Sequence, residues 1–414
     1  MNPLGDGARL MVCDLMLGAQ RVKFRLEGAV EAGFLAVSSG TSSFSGGPMK
    51  RPHRILVVKP DGIGDLVLCI PFLRGLKKAI PGSSITVVVN PAAASLLEHC
   101  PYVDEVIPFA HKWSRASRLM GVFRARHLAR EGLNGRIPDW AVLPRWGVDY
   151  YHASFVVGAS GAGRRFGFSN TVSREKKILN PGYDRLLTET VVGGLGIHEV
   201  VRNLELLRRM GLKTAGSHLE TWVGPRDRQT VDLLWRRWGL GKGRAPVALG
   251  VGPVGGRRQW PVERFAKVAS WLHRRHRRPV LVLGSAREAG LGEHIRRSTG
   301  TFVRDLTGLT NLAQTIAWLA RCELFIGNDS GPMHLAAAAG CSVVEISGHP
   351  RTGDPEGESS PVRFGPWGVR HRILQPEAGA EICQGACRAL YPHCILGVSL
   401  KAVQRAADQL LGHQ

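Results

Sequence analysis

Asp329, Ser330 and His334 are the polar side chains of one compact stretch, GNDSGPMHLAAA from Gly327 to Ala338, and their types suit the binding of an anion. An apolar run precedes the stretch and an alanine-rich segment follows it, which predicts a strand, a tight turn and a helix. Backbone N–H groups at the start of such a helix favour a phosphate. Ser330 or Gly331 would cap the helix. Asp329 could accept from a sugar or ribose hydroxyl, and His334 adds a donor. The alternative is an ordinary capped turn with a surface histidine.

A second turn that could carry chemistry lies near the start of the first predicted strand–helix unit. Lys59 ends an apolar run, Gly62 and Gly64 allow a sharp turn, and Asp65 stands at the head of the following helix. Ligands of open α/β sheets bind at this carboxyl edge of the strands. Alternatively, Asp65 is simply a helix cap.

Two successive series of alternating strands and helices must position these turns, which predicts an α/β protein with two doubly wound halves. The predicted strands of the first half are 54–59, 85–89, 105–109 and 140–143. The predicted strands of the second half are 247–251, 279–283, 323–326 and 342–346, and its helices are 262–276, 291–298 and 309–322. The last helix, 400–411, is amphipathic.

The domain prediction follows from this alternation. Residues 49–225 are predicted to form the first domain, residues 226–398 the second, and residues 399–414 a helix that packs back toward the first domain. Residues 1–48 include the stretch SSGTSSFSGGP and are expected to be a poorly packed extension. Met49 resembles the true start of the first domain.

Composition limits the class of protein. The 414 residues are too many for one ordinary core. No apolar run is long enough for a membrane span, no secretory signal is recognisable, and the eight scattered cysteines fit a reducing cytoplasm. The net charge of +22 attracts polyanions, which could be nucleic acid, an anionic membrane or a phosphorylated substrate.

Local charge density is highest between His111 and Arg136. This segment has seven Lys or Arg residues and a single acid, Glu131, with Trp113 and Phe123 among the interleaved apolar residues. Such a segment suits a membrane interface, although a charged face is often only solvated.

The run Gly250 to Gly255 matches G-x-G-x-x-G, the fingerprint of a dinucleotide site. Its context argues against that interpretation, because Pro253, Arg257 and Arg258 do not open a helix. No acid ends the next strand either. A nicotinamide cofactor is therefore not expected.

Together these pieces resemble glycosyltransferase family 9, the ADP-heptose:lipopolysaccharide heptosyltransferases, from Arg54 to about Val403. The segment HEVVRNLELL, 198–207, is a weaker likeness to a helix of that family. Three motifs carry the resemblance: K-x-x-x-x-G-D-x-x-L at Lys59 to Leu68, R-x-W-P at Arg258 to Pro261, and GNDSGPMHLAAA at Gly327 to Ala338.

The resemblance implies a GT-B architecture, in which two Rossmann-like domains face each other across a cleft. Asp65 would be the general base that deprotonates the acceptor hydroxyl as it attacks the anomeric carbon with inversion. Because a carboxylate at the positive end of a helix dipole has low basicity, proton removal is expected late in the attack. Lys59 and Gly64 would lie on the acceptor or phosphate side.

The resemblance also implies that the first domain, 49–225, is acceptor-binding and that the second, 226–398, is nucleotide-sugar-binding, with donor-binding residues in the second. Arg258 and the amides of Ser330 and Gly331 would balance the charge of the leaving diphosphate without a metal, with Asp329 and His334 nearby. Family members often have lysine in place of Arg258, and arginine keeps the charge and adds bidentate phosphate geometry.

Glu288, in the run GSARE, matches the position at which relatives hold the nucleoside ribose. The acceptor-binding region is too variable to carry over, and no resident cofactor is expected.

A late cluster of Cys383, Cys387, His393 and Cys394 could form a Cys₃His metal site on paper. Adjacent His393 and Cys394 are awkward as simultaneous ligands, so buried or free thiols are the alternative.

The resulting prediction is an inverting glycosyltransferase that moves a heptose-type sugar from a nucleotide-diphosphate donor, ADP-heptose, to an anionic cell-envelope glycolipid such as the lipopolysaccharide inner core. We expect it in the cytoplasm, with peripheral contact to the inner membrane. A related enzyme with a protein or small-molecule acceptor is one alternative. A basic nucleic-acid-binding protein is another, but no helix-turn-helix, finger or RRM signature accompanies the charge, so no nucleic-acid partner is expected.

Overall fold

The computed structural model describes residues 52–110, 118–241, 243–253, 256–379 and 391–412. Its strands form two six-stranded parallel sheets. The predicted extension 1–48 lies outside the described residues, so that prediction stands as it was made.

The first sheet has the spatial order β3-β2-β1-β4-β5-β6, the arrangement of a dinucleotide-type doubly wound fold. Its strands are β1 (Arg54–Lys59), β2 (Ser84–Val89), β3 (Glu105–Pro108), β4 (Trp140–Leu143), β5 (Arg164–Phe168) and β6 (Glu189–Val191). The helices along this part of the chain are α1 (Ile63–Ala79), α2 (Arg118–His127), α3 (Ala153–Ala159), α4 (Arg174–Leu179) and α5 (Glu199–Arg209).

The second sheet, ordered β12-β11-β10-β7-β8-β9, repeats the same winding when its strands are counted from β7. Its strands are β7 (Val247–Gly250), β8 (Val280–Leu283), β9 (Val303–Asp305), β10 (Leu324–Asn328), β11 (Ser342–Ile346) and β12 (His371–Leu374). The helices are α6 (Pro225–Arg237), α7 (Val262–His276), α8 (Ala289–Thr299), α9 (Leu312–Leu319), α10 (Gly331–Ala338), α11 (Pro361–Phe364) and α12 (Leu400–Leu411). The predicted α/β class with two doubly wound sheets is confirmed.

Several predicted boundaries are confirmed to the residue, among them β1, β4, β11, α7 and α12. Strands β5, β6, β9 and β12 were not among the predicted ones, and several other boundaries differ by one or two residues. Two of the differences have a clear local cause. Strand β10 continues past Ile326 because Gly327 and Asn328 still pair with β11. Helix α9 is shorter than predicted because Asn311 and Gln314 form a reciprocal capping box that begins it at Leu312.

The chain divides into two compact units, one comprising the described part of Met1–Val58 and of His111–Val192, the other comprising Lys59–Ala110 and the described part of Gly193–Gln414. Helices α1, α5 and α10 therefore belong to one unit. The domain limits predicted from sequence stay a prediction.

The core of the second unit includes the C-terminal helix. The apolar side chains of Val403, Ala407 and Leu410 on α12 are buried with residues of α7 and of the second sheet. The expectation that this helix packs back toward the first domain is corrected, because its apolar stripe is covered by that core.

Among the described residues, no helix combines the length and the apolar character that crossing a bilayer requires.

Arg74 is a charged residue in the buried interior of the second unit, 1% exposed on α1. Its guanidinium donates to the carbonyls of Ala215 and Gly216, both at 3.0 Å, and its Nη1 lies 3.0 Å from Oε2 of Glu220. One side chain thus ties α1 to the extended segment after α5.

Replacing Arg74 by Met should lower the free energy of unfolding by about 3–5 kcal/mol, because a buried ion pair loses one partner. Arg208→Met is the matched control, since Arg208 is exposed and its Nη1 lies 3.4 Å from the carboxylate of Glu205. That change should stay below about 1 kcal/mol. Denaturant unfolding followed by circular dichroism measures both, and equal losses would contradict the assigned role of Arg74.

Candidate active site

The turn between β10 and α10 has the predicted form. Strand β10 ends at Asn328, Ser330 is the N-cap of α10, and Pro332 lies in the first helical turn. The Ser330 side chain does not cap the helix; its Oγ donates to the carbonyl of Asn328 at 3.2 Å. The start of α10 therefore has the amide geometry that favours an anion.

Asn328, which the sequence analysis passed over, fixes the neighbouring loop. Its side chain is fully buried; Nδ2 donates to the carbonyl of Gly252 at 2.9 Å, and Oδ1 accepts from the backbone N–H of Trp260 at 3.3 Å. One amide group thus holds both ends of the loop that carries Arg258. A polar residue ending an otherwise apolar strand is the signal that could have found it.

Arg258 contacts Asp329, with 3.4 Å between Nη1 and Oδ2. The Arg258 side chain is 43% exposed, whereas the Asp329 side chain is only 8% exposed. Burial raises the pKa of Asp329, the charge of Arg258 opposes that rise, and the charge of Asp65 adds to it. The cation therefore remains accessible to a ligand while it partly compensates a buried acid.

Asp65 lies in the first turn of α1 but is not its cap, since the N-cap is Gly62 and no side chain caps the helix. Burial raises the pKa of Asp65, against the opposing charge of Lys59. Lys59 is itself buried and lies 3.3 Å from Asp61. The expectation of low basicity is thus wrong, because desolvation outweighs the helix dipole.

His334 and Gly64 bring the two turns together within the second unit. A Cβ placed on Gly64 would stand 2.3 Å from Cδ2 of His334. On the other helix, a Cβ on Gly331 would stand 3.2 Å from Cβ of Ile63. The N-termini of α1 and α10 therefore meet, and glycine is needed at position 64 for that approach.

The imidazole of His334 is buried rather than at the surface, and its Nδ1 has no hydrogen-bond partner among the described residues. Burial, together with the charges of His198 and Arg258, lowers its pKa to about 3. The ring is therefore neutral at physiological pH and can donate from one nitrogen only.

Glu288 lies at the start of α8. Its Oε2 accepts from the backbone N–H and from the hydroxyl of Ser285, both at 2.6 Å, which completes a capping box. A Cβ on Gly252 would stand 3.1 Å from Cδ of Glu288, so this carboxylate adjoins the loop fixed by Asn328. Its ribose-binding role stays a prediction.

The proposed cysteine cluster is only partly described. Cys383 and Cys387 lie outside the described residues, whereas Nδ1 of His393 lies 2.9 Å from Sγ of Cys394. Among the parts of the chain that the structure describes, no group of three or more metal-ligating side chains occurs.

The assembled site has complementary parts. Asp65 supplies a carboxylate of raised pKa, Arg258 supplies an accessible cation, and the first turn of α10 supplies backbone amides. A base beside an anion-binding turn can support the transfer of a group from a phosphate leaving group to a hydroxyl.

Substituting Gly64 by Ala should displace His334 and lower the free energy of unfolding by about 1–3 kcal/mol, because the added methyl overpacks the contact. Gly290→Ala is the control: Gly290 is also the second residue of its helix, and a Cβ there meets nothing within 4 Å. That variant should be neutral or slightly stabilised. Thermal unfolding compares them, and a Gly64→Ala protein as stable as Gly290→Ala would rule out the tight contact.

Residues 196–391 match the family described as glycosyltransferase family 9 (heptosyltransferase). Over most of its length the chain is similar to lipopolysaccharide heptosyltransferase 2 of Salmonella typhimurium, with 25% identity over 373 residues that cover 87% of this chain and 99% of that protein. The Escherichia coli protein of the same name is 24% identical over 375 residues, which cover 86% of this chain and 98% of the relative.

Solved structures resemble the fold at comparable coverage. A family 9 glycosyltransferase from Veillonella parvula superposes with a TM-score of 0.72 and 23% identity, covering 89% of this chain and all of the other (100%). The E. coli ADP-heptose lipopolysaccharide heptosyltransferase II gives a TM-score of 0.61 and 21% identity, covering 86% of this chain and 98% of that one. The likeness confirms the predicted GT-B fold class.

Proposed function

This chain belongs to glycosyltransferase family 9, and from that premise we propose that it transfers a heptose-type sugar from ADP-heptose to the inner core of lipopolysaccharide. The observation that carries the proposal is the packing of the Asp65 turn against the Asp329–His334 turn. The matched relatives are heptosyltransferases by name, and the chain spans nearly their whole length.

In the proposed mechanism Asp65 is the general base. Its carboxylate takes the proton of the acceptor hydroxyl while the hydroxyl oxygen forms a bond to the anomeric carbon. The bond from that carbon to the diphosphate breaks on the opposite face, so the anomeric configuration inverts. The raised pKa of Asp65 suits this task, because a stronger base removes the proton earlier in the attack.

The leaving diphosphate is stabilised by Arg258 and by the amides at Ser330 and Gly331. These donors are fixed before the substrate arrives, because Asn328 holds the Arg258 loop and the helix holds its own first turn. Asp329 and the neutral His334 lie beside them and would orient the sugar through hydrogen bonds. Glu288, which adjoins the loop fixed by Asn328, would accept a hydrogen bond from a ribose hydroxyl.

The acceptor is the least constrained partner. On helix α2 in the first unit, the side chain of Phe123 is 51% exposed and lies beside the exposed side chain of Arg124. The exposed side chain of Arg130 follows the helix. An apolar ring among arginines suits the headgroup region of an anionic inner leaflet. We therefore expect peripheral membrane contact there; the remainder of the predicted basic segment, 111–117, lies outside the described residues.

The direct test incubates the purified protein with a panel of nucleotide sugars, with and without lipopolysaccharide precursors that lack heptose, and measures released nucleoside diphosphate. Release from ADP-heptose that depends on the glycolipid supports the proposal. Transfer to a peptide or a small molecule instead would favour the alternative prediction, in which the acceptor is a protein or a small molecule. Salt-sensitive DNA or RNA binding without any turnover would favour the nucleic-acid alternative.

Asp65→Asn should lower the transfer rate by about 10²–10⁴-fold, because the amide cannot accept the proton. The dissociation constant for ADP, measured by calorimetry, should change little. Glu263→Gln, which neutralises an exposed first-turn carboxylate on α7, is the control and should keep full activity. Undiminished turnover in Asp65→Asn would refute the base assignment.

A further inference from the structure

The first turn of α5 carries a buried ion cluster that the proposed mechanism does not use. We call it the α5 cluster, and its members are His198, Glu199, Arg202, Glu356 and Arg363. Oε1 of Glu199 accepts from Nη1 of Arg202 at 2.7 Å and from Nε and Nη2 of Arg363 at 2.9 and 2.7 Å. The two guanidinium groups thus converge on one carboxylate oxygen.

The remaining members attach this cluster to the segments on both sides of α11. Arg202 pairs with the carboxylate of Glu356, and Arg363 donates to the backbone carbonyl of Glu356 at 2.8 Å. His198 caps α5 by accepting from Val200, while its Nε2 lies 3.0 Å from the carbonyl of Gly365.

The α5 cluster lies next to the turn that holds Asp65. Asn203 on α5 donates to the carbonyl of Leu68 on α1 at 3.2 Å, and Leu68 is buried against Val200. Leu68 follows Asp65 by one helical turn, and Val200 follows Glu199 directly. The N-terminal halves of α1 and α5 are therefore packed side by side, and each helix carries an acid in its first turn.

We propose that Glu199 is a positioning residue for the transfer reaction: held ionised by Arg202 and Arg363, it strengthens Asp65 as a base through its negative charge. The inference rests on the proposed function, in which Asp65 accepts the proton. It assigns a role to the HEVVRN segment, which the mechanism above leaves unexplained.

The charges around the two acids give the sign of the effect. Although burial opposes ionisation, Arg363 and Arg202 lower the pKa of Glu199 to about 2, so it is an anion at every working pH. Desolvation is the main cause that raises the pKa of Asp65; Glu199 adds to it, whereas Lys59 and Arg363 act against it. Asp329, from the end of β10, also interacts with Asp65. Removing the charge of Glu199 should therefore lower the pKa of Asp65.

If the α5 cluster served only to stabilise the fold, nothing would require Glu199 to raise the pKa of Asp65. Buried ion groups are often replaceable by apolar residues without loss of stability, so stability alone is a weak reason for the arrangement. The two explanations separate on one observable, the protonation of Asp65, because a fold-stabilising contact has no reason to shift it.

The decisive measurement is a titration of the Asp65 carboxyl by ¹³C NMR in protein labelled at aspartate, with Asp65→Asn used to assign the resonance. Glu199→Gln should lower the Asp65 pKa by about one pH unit, the usual order for a nearby like charge. Glu356→Gln is the matched control: it neutralises another acid of the same cluster, one that pairs with Arg202 and is not among the main causes that shift the pKa of Asp65. It should shift that pKa much less than Glu199→Gln does.

Arg363→Met provides a test of opposite sign and covers the case in which Glu199→Gln fails to fold. Loss of this cation should raise the Asp65 pKa. In turnover, the acid limb of the pH profile should move down in Glu199→Gln and return toward the wild-type position in Glu199→Asp, which keeps the charge.

An unchanged Asp65 pKa in Glu199→Gln, or an equal shift in Glu356→Gln, would overturn the inference. Because the NMR titration requires no substrate, its result stands even if ADP-heptose is not the donor. Conversely, full activity of Asp65→Asn would remove the base assignment without altering the measured interaction between the two acids.

Discussion

The candidate site depends on the meeting of two helix N-termini, those of α1 and α10, in one compact unit. Two glycines permit it: the backbone at Gly64 lies against the ring of His334, and the backbone at Gly331 lies against Ile63. Because helix N-termini carry positive potential, the region in which two of them meet favours an anionic ligand. Acids, cations and the neutral imidazole are all arranged around this meeting point.

Exclusion of water from this region determines the protonation states of its side chains. Asp65 and Asp329 both have raised pKa values, chiefly because of burial, and each lies within reach of a cation, Lys59 for the first and Arg258 for the second. His334 is kept neutral by the same burial. The protein thus holds proton acceptors and hydrogen-bond donors of ordinary residue type in states that water would not favour.

Local sequence was sufficient for the central strands of both sheets and for the turns at their ends, whereas the strands β5, β6, β9 and β12 were not predicted. Ser330 and Pro332 specify the start of α10 by chemistry confined to a few residues, and the periodicity of α7 gives both of its ends. The same reasoning could not find the contact between Gly64 and His334. That contact joins residues 270 positions apart, and it depends on the packing of helix α1 against helix α10, which follow strands of different sheets.

Burial was the second quantity that local patterns missed. The helix dipole suggested a weakly basic Asp65, but the pKa is decided by solvent exclusion, which only the folded unit defines. Likewise, Glu199 and Arg202 were visible as neighbours on one helix, whereas Arg363 is supplied from 164 positions away. Charged residues at i and i+3 on an apolar helix face were the available sign that a distant partner completes them.

The position of α12 in the core of the second sheet has a consequence for biosynthesis. Translation delivers residues 400–411 after every strand of that sheet, yet Val403, Ala407 and Leu410 cover part of its apolar face. During synthesis this apolar face therefore stays exposed to solvent until α12 has been made. Until this segment has left the ribosome, the newly made second unit therefore exposes apolar surface of the kind that promotes aggregation.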